Sequence, residues 1–157
     1  MTAAHELTLH RRYATPIEDV WAALTESERL SRWLGSYVGH GRPGGTVEMT
    51  VTGEVDAGGT VAPPVTVTIH ECAAPRRLVV DIPADGTKHW HVAVDLDPDG
   101  AGTQLRFTQR TVEGVDVADV EAGWSWYLDR LGAALDATPM PAWSDYAPDV
   151  PSGPPST

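Results

Sequence analysis

The chain contains a single cysteine, no long apolar run and no segment of the secretory signal type. Because Cys72 is alone, an internal disulfide and a thiolate metal cluster are excluded, and we interpret it as a small strand residue. No apolar run has the length of a membrane span. Residues 1–13 lack the basic and then apolar layout of a signal peptide. Together these features predict a cytoplasmic protein.

Basic residues are also scarce. Lys and Arg total 11 against 22 Asp and Glu, which gives a formal net charge of −11. This charge repels phosphate backbones and anionic lipid, so we expect neither nucleic acid nor a membrane surface as a partner. The 157 residues are enough for one domain with a substantial core.

Alternating apolar and polar residues with a period of two predict β-strands along most of the chain. The segments between them are short and rich in Gly, Pro and Asp, which is typical of hairpins, so the strands should form an antiparallel meander. The predicted strands cover residues 7–13, 47–51, 65–69, 78–82, 90–96 and 103–109.

Two short helices are predicted after the first strand. Thr15 has the position of an N-cap, with Pro16 at the first helical position and Glu18 completing a capping box. Thr25 and Glu28 repeat this signature, so a second short helix should follow directly.

A loop is predicted after the second helix, from Gly35 to Gly45, and it could act as a lid beside Trp33. Its glycines and its proline are typical of turns rather than of regular structure.

A long C-terminal helix is predicted over residues 117–137. Gly123 lies on its apolar side and should let the helix approach the sheet closely. One helix must then cover the inner face of a whole curved sheet, and this leaves a gap of the kind that binds small ligands. The apolar residues of the helix recur at steps of three and four, at Val120, Trp124, Tyr127, Leu128, Leu131 and Leu135.

The chain ends in a proline-rich segment. Six prolines exclude regular structure there, so residues 138–157 are predicted to be an extended or disordered tail after a domain of residues 1–137. Trp143 and Tyr146 lie in this tail; they could fold back onto an apolar patch, but a loose tail is the favoured interpretation.

Several segments between residues 7 and 137 carry a family resemblance. They are Tyr13-Ala14-Thr15-Pro16-Ile17-Glu18-Asp19-Val20-Trp21-Ala22-Ala23-Leu24-Thr25, Glu28-Arg29-Leu30-Ser31-Arg32-Trp33-Leu34, Gly44-Gly45, Gly102-Thr103-Gln104-Leu105, Gly123-Trp124 and Tyr127-Leu128-Asp129-Arg130-Leu131. With them the chain resembles the bacterial homologues of the C-terminal domain of the Hsp 90 ATPase activator, in the START-like or SRPBCC superfamily.

The resemblance implies an α+β helix-grip fold. In this fold a curved antiparallel sheet, with two short helices after its first strand, grips one long C-terminal helix over an internal cavity. The matching residues are caps, core aromatics and turn glycines, so the resemblance supplies no catalytic set. The superfamily spans lipid carriers, hormone receptors and polyketide cyclases, and the fold therefore does not select among these functions.

The inward-facing residues define a candidate wall for a ligand site. A mostly apolar wall with a few polar groups is typical of sites for small organic molecules, while the alternative is that the aromatics fill the core and leave no cavity. Trp33 and Trp124 are the strongest single candidates, since each offers a flat apolar face and one N–H donor. The candidate ligand-binding residues are Arg11, Trp33, Met49, Glu71, Trp90, Phe107, Gln109, Trp124 and Tyr127.

A pair of histidines on one strand suggests a metal site as an alternative. His89 and His91 point the same way, but they alternate with Trp90 and should therefore face solvent, with His70 on the same face. No third ligand is evident from spacing. We therefore interpret the pair as part of a solvated sheet face and predict no metal and no cofactor.

Three functions remain open. The leading hypothesis is a non-catalytic domain that binds a small hydrophobic, aromatic or amphipathic molecule. The second is an enzyme of the polyketide cyclase or aromatase type, for which Glu71, Arg11 and Tyr127 are the only inward-facing acid or base candidates; the sequence has no serine elbow, phosphate loop, nucleotide fingerprint or HExxH motif. The third is a protein-interaction role like chaperone ATPase activation, with a chaperone or a second copy of the chain as partner.

Overall fold

The computed structural model describes residues 5–39, 42–52, 63–83, 89–111 and 117–146. Seven strands and three α-helices lie in these ranges. The helices are α1 (Ile17–Thr25), α2 (Ser27–Leu30) and α3 (Val117–Asp136). The strands are β1 (His5–Tyr13), β2 (Gly35–Val38), β3 (Thr46–Val51), β4 (Val65–Ala73), β5 (Arg77–Pro83), β6 (His89–Asp99) and β7 (Gly102–Thr111).

All seven strands form one antiparallel sheet in the order β1-β7-β6-β5-β4-β3-β2. Each strand from β2 to β6 pairs with the next strand along the chain. Strand β1 pairs with β7 at the edge of the sheet. Helix α3 packs on the inner face of the sheet, and the core lies between them. This confirms the predicted α+β helix-grip fold. None of the helices in the described ranges is both long and apolar enough to cross a bilayer.

Strand β2 is an element that the sequence did not predict. Gly35 was expected to begin a loop, but Gly35–Val38 pairs with β3, with Gly35 opposite Val51. A Cβ atom on Gly35 would lie 2.1 Å from the Thr50 carbonyl oxygen, so only glycine permits this close approach. Gly35 therefore begins a strand. The predicted loop, which could have acted as a lid, is wrong for residues 35–38.

The predicted capping boxes of the two short helices are not formed. Helix α1 begins one residue later than predicted, with Pro16 as its N-cap and no side-chain cap. The carbonyl of Thr15 instead accepts a hydrogen bond of 2.7 Å from the hydroxyl of the fully buried Thr103. Thr25 donates its hydroxyl back to the carbonyl of Trp21, and α2 begins after Glu26. The Thr25 hydroxyl thus bonds within its own helix, and the backbone of Thr15 bonds to a distant strand residue, in place of the predicted capping boxes.

A β-bulge in β4 changes which side chains face the core. The register of β4 on β5 shifts between Ile69, which pairs with Val80, and Glu71, which pairs with Val79. A bulge adds a residue to one strand and interrupts the alternation of faces. The inward position predicted for Glu71 is therefore wrong: Glu71 is exposed and forms a 2.8 Å ion pair with Arg77.

The close approach predicted at Gly123 of α3 is wrong, and a different glycine of the helix makes it. A Cβ atom on Gly123 would meet nothing within 4 Å, so this glycine is not required for a close approach. A Cβ atom on Gly132 would lie 3.2 Å from the ring of Tyr13. The close contact between helix and sheet is therefore at Gly132, where the Tyr13 hydroxyl also donates a 2.8 Å hydrogen bond to the carbonyl of Leu128.

Residues 138–146, named here the C-terminal strap, fold back onto α3. Trp126 is fully buried beneath them; its indole N–H donates to the carbonyl of Pro141 at 2.9 Å, and its ring meets Trp143 at 5.3 Å. The Tyr146 hydroxyl donates to Asp129 at 2.7 Å. Trp143 and Tyr146 thus contact the domain, contrary to the loose tail favoured from the sequence, whereas residues 147–157 lie outside the described ranges.

Candidate functional site

A cavity of about 140 Å³ lies between the inner face of the sheet and helices α2 and α3. Its wall is almost entirely apolar and includes four of the predicted residues, Trp33, Met49, Phe107 and Trp124. Within the described ranges the wall comprises Leu24, Thr25, Leu30, Trp33, Leu34, Tyr37, Val47, Met49, Val67, Ile69, Cys72, Leu78, Val80, Ile82, Val92, Val94, Phe107, Trp124 and Leu128. The alternative in which side chains fill all of the core does not apply to this region.

Trp33 is fixed by its hydrogen bonds. Its indole N–H donates to the carbonyl of Ala23 at 2.9 Å, and its own carbonyl accepts a 2.9 Å hydrogen bond from the guanidinium of Arg130. Arg130 is only 4% exposed and also lies over the ring of Trp126, 4.8 Å from its centroid. The buried guanidinium thus joins α3 to the end of α2, and the indole N–H of Trp33 is already used within the protein. Trp33 therefore offers the cavity a flat apolar face.

Trp124 forms the aromatic roof of the cavity together with Phe107. Their ring centroids are 4.6 Å apart with an interplanar angle of 39°, and Tyr127 lies 5.9 Å from Trp124 on the side toward Trp126. These are distances at which aromatic pairs attract each other. The pairing of a strand residue with a helix residue fixes the height of α3 above this part of the sheet.

The polar members of the wall are Thr25, Tyr37 and Cys72. The Tyr37 hydroxyl donates to the carbonyl of Thr25, and the backbone of Tyr37 exchanges two 2.9 Å hydrogen bonds with the hydroxyl of Ser27. Burial, followed by the nearby Cys72 and Glu26, raises the pKa of Tyr37. Sequence reasoning missed Tyr37 because the residue was assigned to a loop, and it missed Cys72 because the bulge reverses the predicted facing.

Gln109 has a fully buried amide that lacks a hydrogen-bond partner. Its side chain is 0% exposed, and neither its oxygen nor its nitrogen bonds to any group in the described ranges. It lies on β7 two residues from Phe107 and pairs with Val92, and both of these residues line the cavity. An unpaired buried amide lowers the free energy of unfolding by about 1–3 kcal/mol. Among the buried side chains in the described ranges, Gln109 is the one whose polar atoms lack a hydrogen-bond partner.

Four other predicted residues do not line the cavity in the described ranges. Arg11 points away and forms a 2.7 Å ion pair with Asp129 of α3. Glu71 is on the outer face, as described above. Trp90 is partly buried against the main core, and Tyr127 is buried between Trp124 and Trp126. Of the polar residues predicted to face inward, Gln109 and Tyr127 are buried, whereas Arg11 and Glu71 form ion pairs away from the cavity.

The wall has little capacity for acid–base chemistry. Among the lining residues in the described ranges there is no carboxylate, imidazole, ammonium or guanidinium group. Of the polar residues suggested for a cyclase-type reaction, Arg11 and Glu71 are engaged in ion pairs outside the cavity. The titratable groups among the lining residues in these ranges are the phenol of Tyr37 and the thiol of Cys72.

A curved antiparallel sheet that grips one helix above an apolar cavity defines the START-like helix-grip class of proteins. Within that class the chain belongs to the family described as Activator of Hsp90 ATPase homolog 1-like protein, whose model matches residues 14–136. The resemblance seen in the sequence is thereby confirmed.

Solved structures share this fold at low sequence identity. CalU16 from Micromonospora echinospora is 27% identical, with a TM-score of 0.70 over 84% of this chain and 76% of that one. The protein encoded by gene BPP1335 of Bordetella parapertussis is 24% identical, with a TM-score of 0.76 over 91% of this chain and 81% of that one. Mll3558 from Rhizobium loti is 22% identical, with a TM-score of 0.68 over 86% and 99% of the two chains. No curated protein matches the chain.

Proposed function

We propose that the protein is a binding domain for a small, mostly apolar molecule that occupies the cavity beneath α3. The observation that carries the proposal is a void of about 140 Å³ whose wall is apolar and aromatic. The cavity is partly open to the surface, so a ligand can enter it, and apolar ligand atoms buried against this wall would contribute about 25 cal/mol per Å² of apolar surface removed from water.

The size of the cavity limits the ligand to about one ring. An apolar engineered cavity of about 150 Å³ in another protein stays dry and binds benzene. The void here has nearly the same volume. A single aromatic ring, or a short branched chain, therefore fits without movement of the wall, and a long-chain lipid does not.

The polar surroundings favour a ligand with one hydrogen-bonding group. The amide of Gln109 is buried and unpaired beside Phe107 and Val92, and it can both donate and accept. Gln109 is not itself a lining residue, so a hydroxyl or carbonyl on the ring would satisfy its amide only where the ring packs against Phe107 and Val92 and the polar group extends past them. We therefore propose substituted single-ring molecules, such as phenols, in preference to plain hydrocarbons.

Thermal unfolding with a ligand panel tests the proposal. Toluene, phenol and p-cresol should raise the melting temperature, and decanoate should not. In Val80→Phe a larger side chain enters the cavity wall, so the shifts should vanish. Val38→Phe adds the same ring at a side chain that is 73% exposed and outside the wall, so its shifts should match those of the wild type.

Two results would reject the proposal. One is the absence of any shift in the wild type across the single-ring compounds. The other is a shift in Val80→Phe equal to that in Val38→Phe, because the compounds would then bind elsewhere. Circular dichroism of both variants verifies that each one is folded.

A second candidate function is contact with a chaperone ATPase, which the family description favours. The net charge of −11 would steer the chain toward a basic surface. Adding the protein to the chaperone from the same organism should then raise the ATPase rate of the chaperone, and an unchanged rate would reject this candidate.

We further propose a cytoplasmic location, which fits such a partner. The single cysteine supports this location, and cell fractionation would test it.

A further inference from the structure

Three side chains from neighbouring strands converge on the outer face of the sheet, away from the cavity. They are His70 of β4, Asp81 of β5 and His91 of β6. Asp81 contacts both histidines: one carboxylate oxygen lies 2.8 Å from Nε2 of His70 and the other lies 2.8 Å from Nδ1 of His91. Each residue thus offers one ligand atom, and all of these atoms lie within 4.8 Å of one another.

The β-bulge of β4 builds this cluster. His70 lies at the register shift between Ile69 and Glu71, so it has no direct partner on β5. Asp81 and His91 are direct cross-strand partners in the next pair of strands. A β-bulge changes the direction in which side chains point. Here it places the imidazole of His70 beside the carboxylate of Asp81, the residue that pairs in register with Thr68. The third ligand was not evident in the sequence because it comes from another strand, 10 residues before His91.

We propose that His70, Asp81 and His91 form a binding site for a divalent transition metal such as Zn²⁺. Two imidazole nitrogens and one carboxylate oxygen are ligands that Zn²⁺ takes at about 2.0–2.2 Å, with a water in the fourth position. Ligand atoms around a tetrahedral zinc are then about 3.4 Å apart. To reach this spacing, the two 2.8 Å contacts between Asp81 and the histidines must lengthen slightly. The distance between the ligand nitrogens of His70 and His91, which is at most 4.8 Å, must shorten.

The position of the cluster allows these adjustments. The side chains of His70 and His91 are 44% and 40% exposed, so both rings can rotate and an ion can enter from solvent. Arg110 lies opposite His91 on β7 and its positive charge opposes the ion. Arg110 is exposed, however, so solvent screens its charge, whereas the three ligands would contact the metal directly.

Equilibrium dialysis of the tag-free protein against Zn²⁺ alone tests the site. We expect one zinc per chain in the wild type. His70→Gln, His91→Gln and Asp81→Asn should each weaken binding by about tenfold or more, since even second-shell changes cost 10–100-fold. His10→Gln removes an exposed histidine on β1 that also faces outward, and it should bind zinc as the wild type does.

Long-range ¹⁵N spectra of the histidine side chains give a second measurement that needs no variant. Zinc should shift Nε2 of His70 and Nδ1 of His91 and leave the ring of His10 unchanged. The proposal is overturned if the wild type retains no zinc, if His91→Gln or Asp81→Asn retains it as tightly as His10→Gln does, or if other histidine nitrogens carry the shifts.

Discussion

The buried amide of Gln109 is predicted to lower the stability of the protein. Its buried amide has no partner in the described ranges, so Gln109→Met, which keeps the length and removes the polar atoms, should raise the free energy of unfolding by about 1–3 kcal/mol. Urea unfolding measures this change. The control is Gln104→Met, at an exposed side chain that donates to Asp99 at 2.9 Å, which should gain nothing. Loss of stability in Gln109→Met would mean that the amide has a partner.

The two glycines of α3 give a second, paired prediction. Gly123→Ala adds a methyl group with nothing within 4 Å, so it should stabilise the protein by about 0.5–1 kcal/mol through helix propensity. Gly132→Ala places the same methyl group 3.2 Å from the ring of Tyr13, so most of that gain should be lost. Equal stabilisation in the two variants, measured by urea unfolding, would contradict the close contact at Gly132.

Most elements follow from local sequence patterns. The alternation in β1 and β3–β7 and the apolar stripe of α3 predict the strands and the long helix because each buries one face against a common core. Where the prediction failed, a distant group decided the structure. Gly35 is a strand residue because of the Thr50 backbone, and the β4 bulge moves Glu71 outward to Arg77. Neither relation is visible in a single-strand pattern.

The C-terminal strap was beyond prediction for the same reason. Its prolines indicate only that it is irregular, whereas its position depends on Trp126, which lies beside the predicted apolar stripe of α3. The indole of Trp126 needs both an apolar cover and an acceptor, and Trp143 and the carbonyl of Pro141 supply them.

The strap contact should depend on pH through Tyr146. Partial burial, and then its hydrogen bond to Asp129, raise the pKa of Tyr146 from 10.0 to about 12. The folded protein thus holds this proton more tightly than the unfolded chain does. The resulting stabilisation is fully present below pH 10 and is lost as the pH rises through about 12.

Ultraviolet titration of the phenolate measures this pKa. The difference between the wild type and Tyr146→Phe isolates one tyrosine, and its midpoint should lie near 12. A midpoint near 10 would show that Tyr146 does not bond to Asp129 in solution.

In the described ranges, one part of the core is filled by side chains and another part contains the cavity. The main core, around Leu131 and Trp126, is closed by Arg130 and the C-terminal strap. The wall of the cavity comes from α1, α2, α3 and strands β2 to β7. Periodicity predicts which side chains face inward, but not whether their combined volume fills the space. Trp33, Phe107 and Trp124 were therefore predictable from sequence as members of the site, whereas Tyr37 and the void between these side chains were not.

A xenon-pressurised crystal of the wild-type protein tests the central claim most directly, because an apolar cavity of about this size binds xenon. We predict one xenon atom beneath α3, in contact with Phe107, Met49 and Trp33, and its absence from the same crystal form of Val80→Phe. A wild-type crystal without xenon at that position, with side chains or ordered water filling the space, would contradict the existence of a ligand cavity.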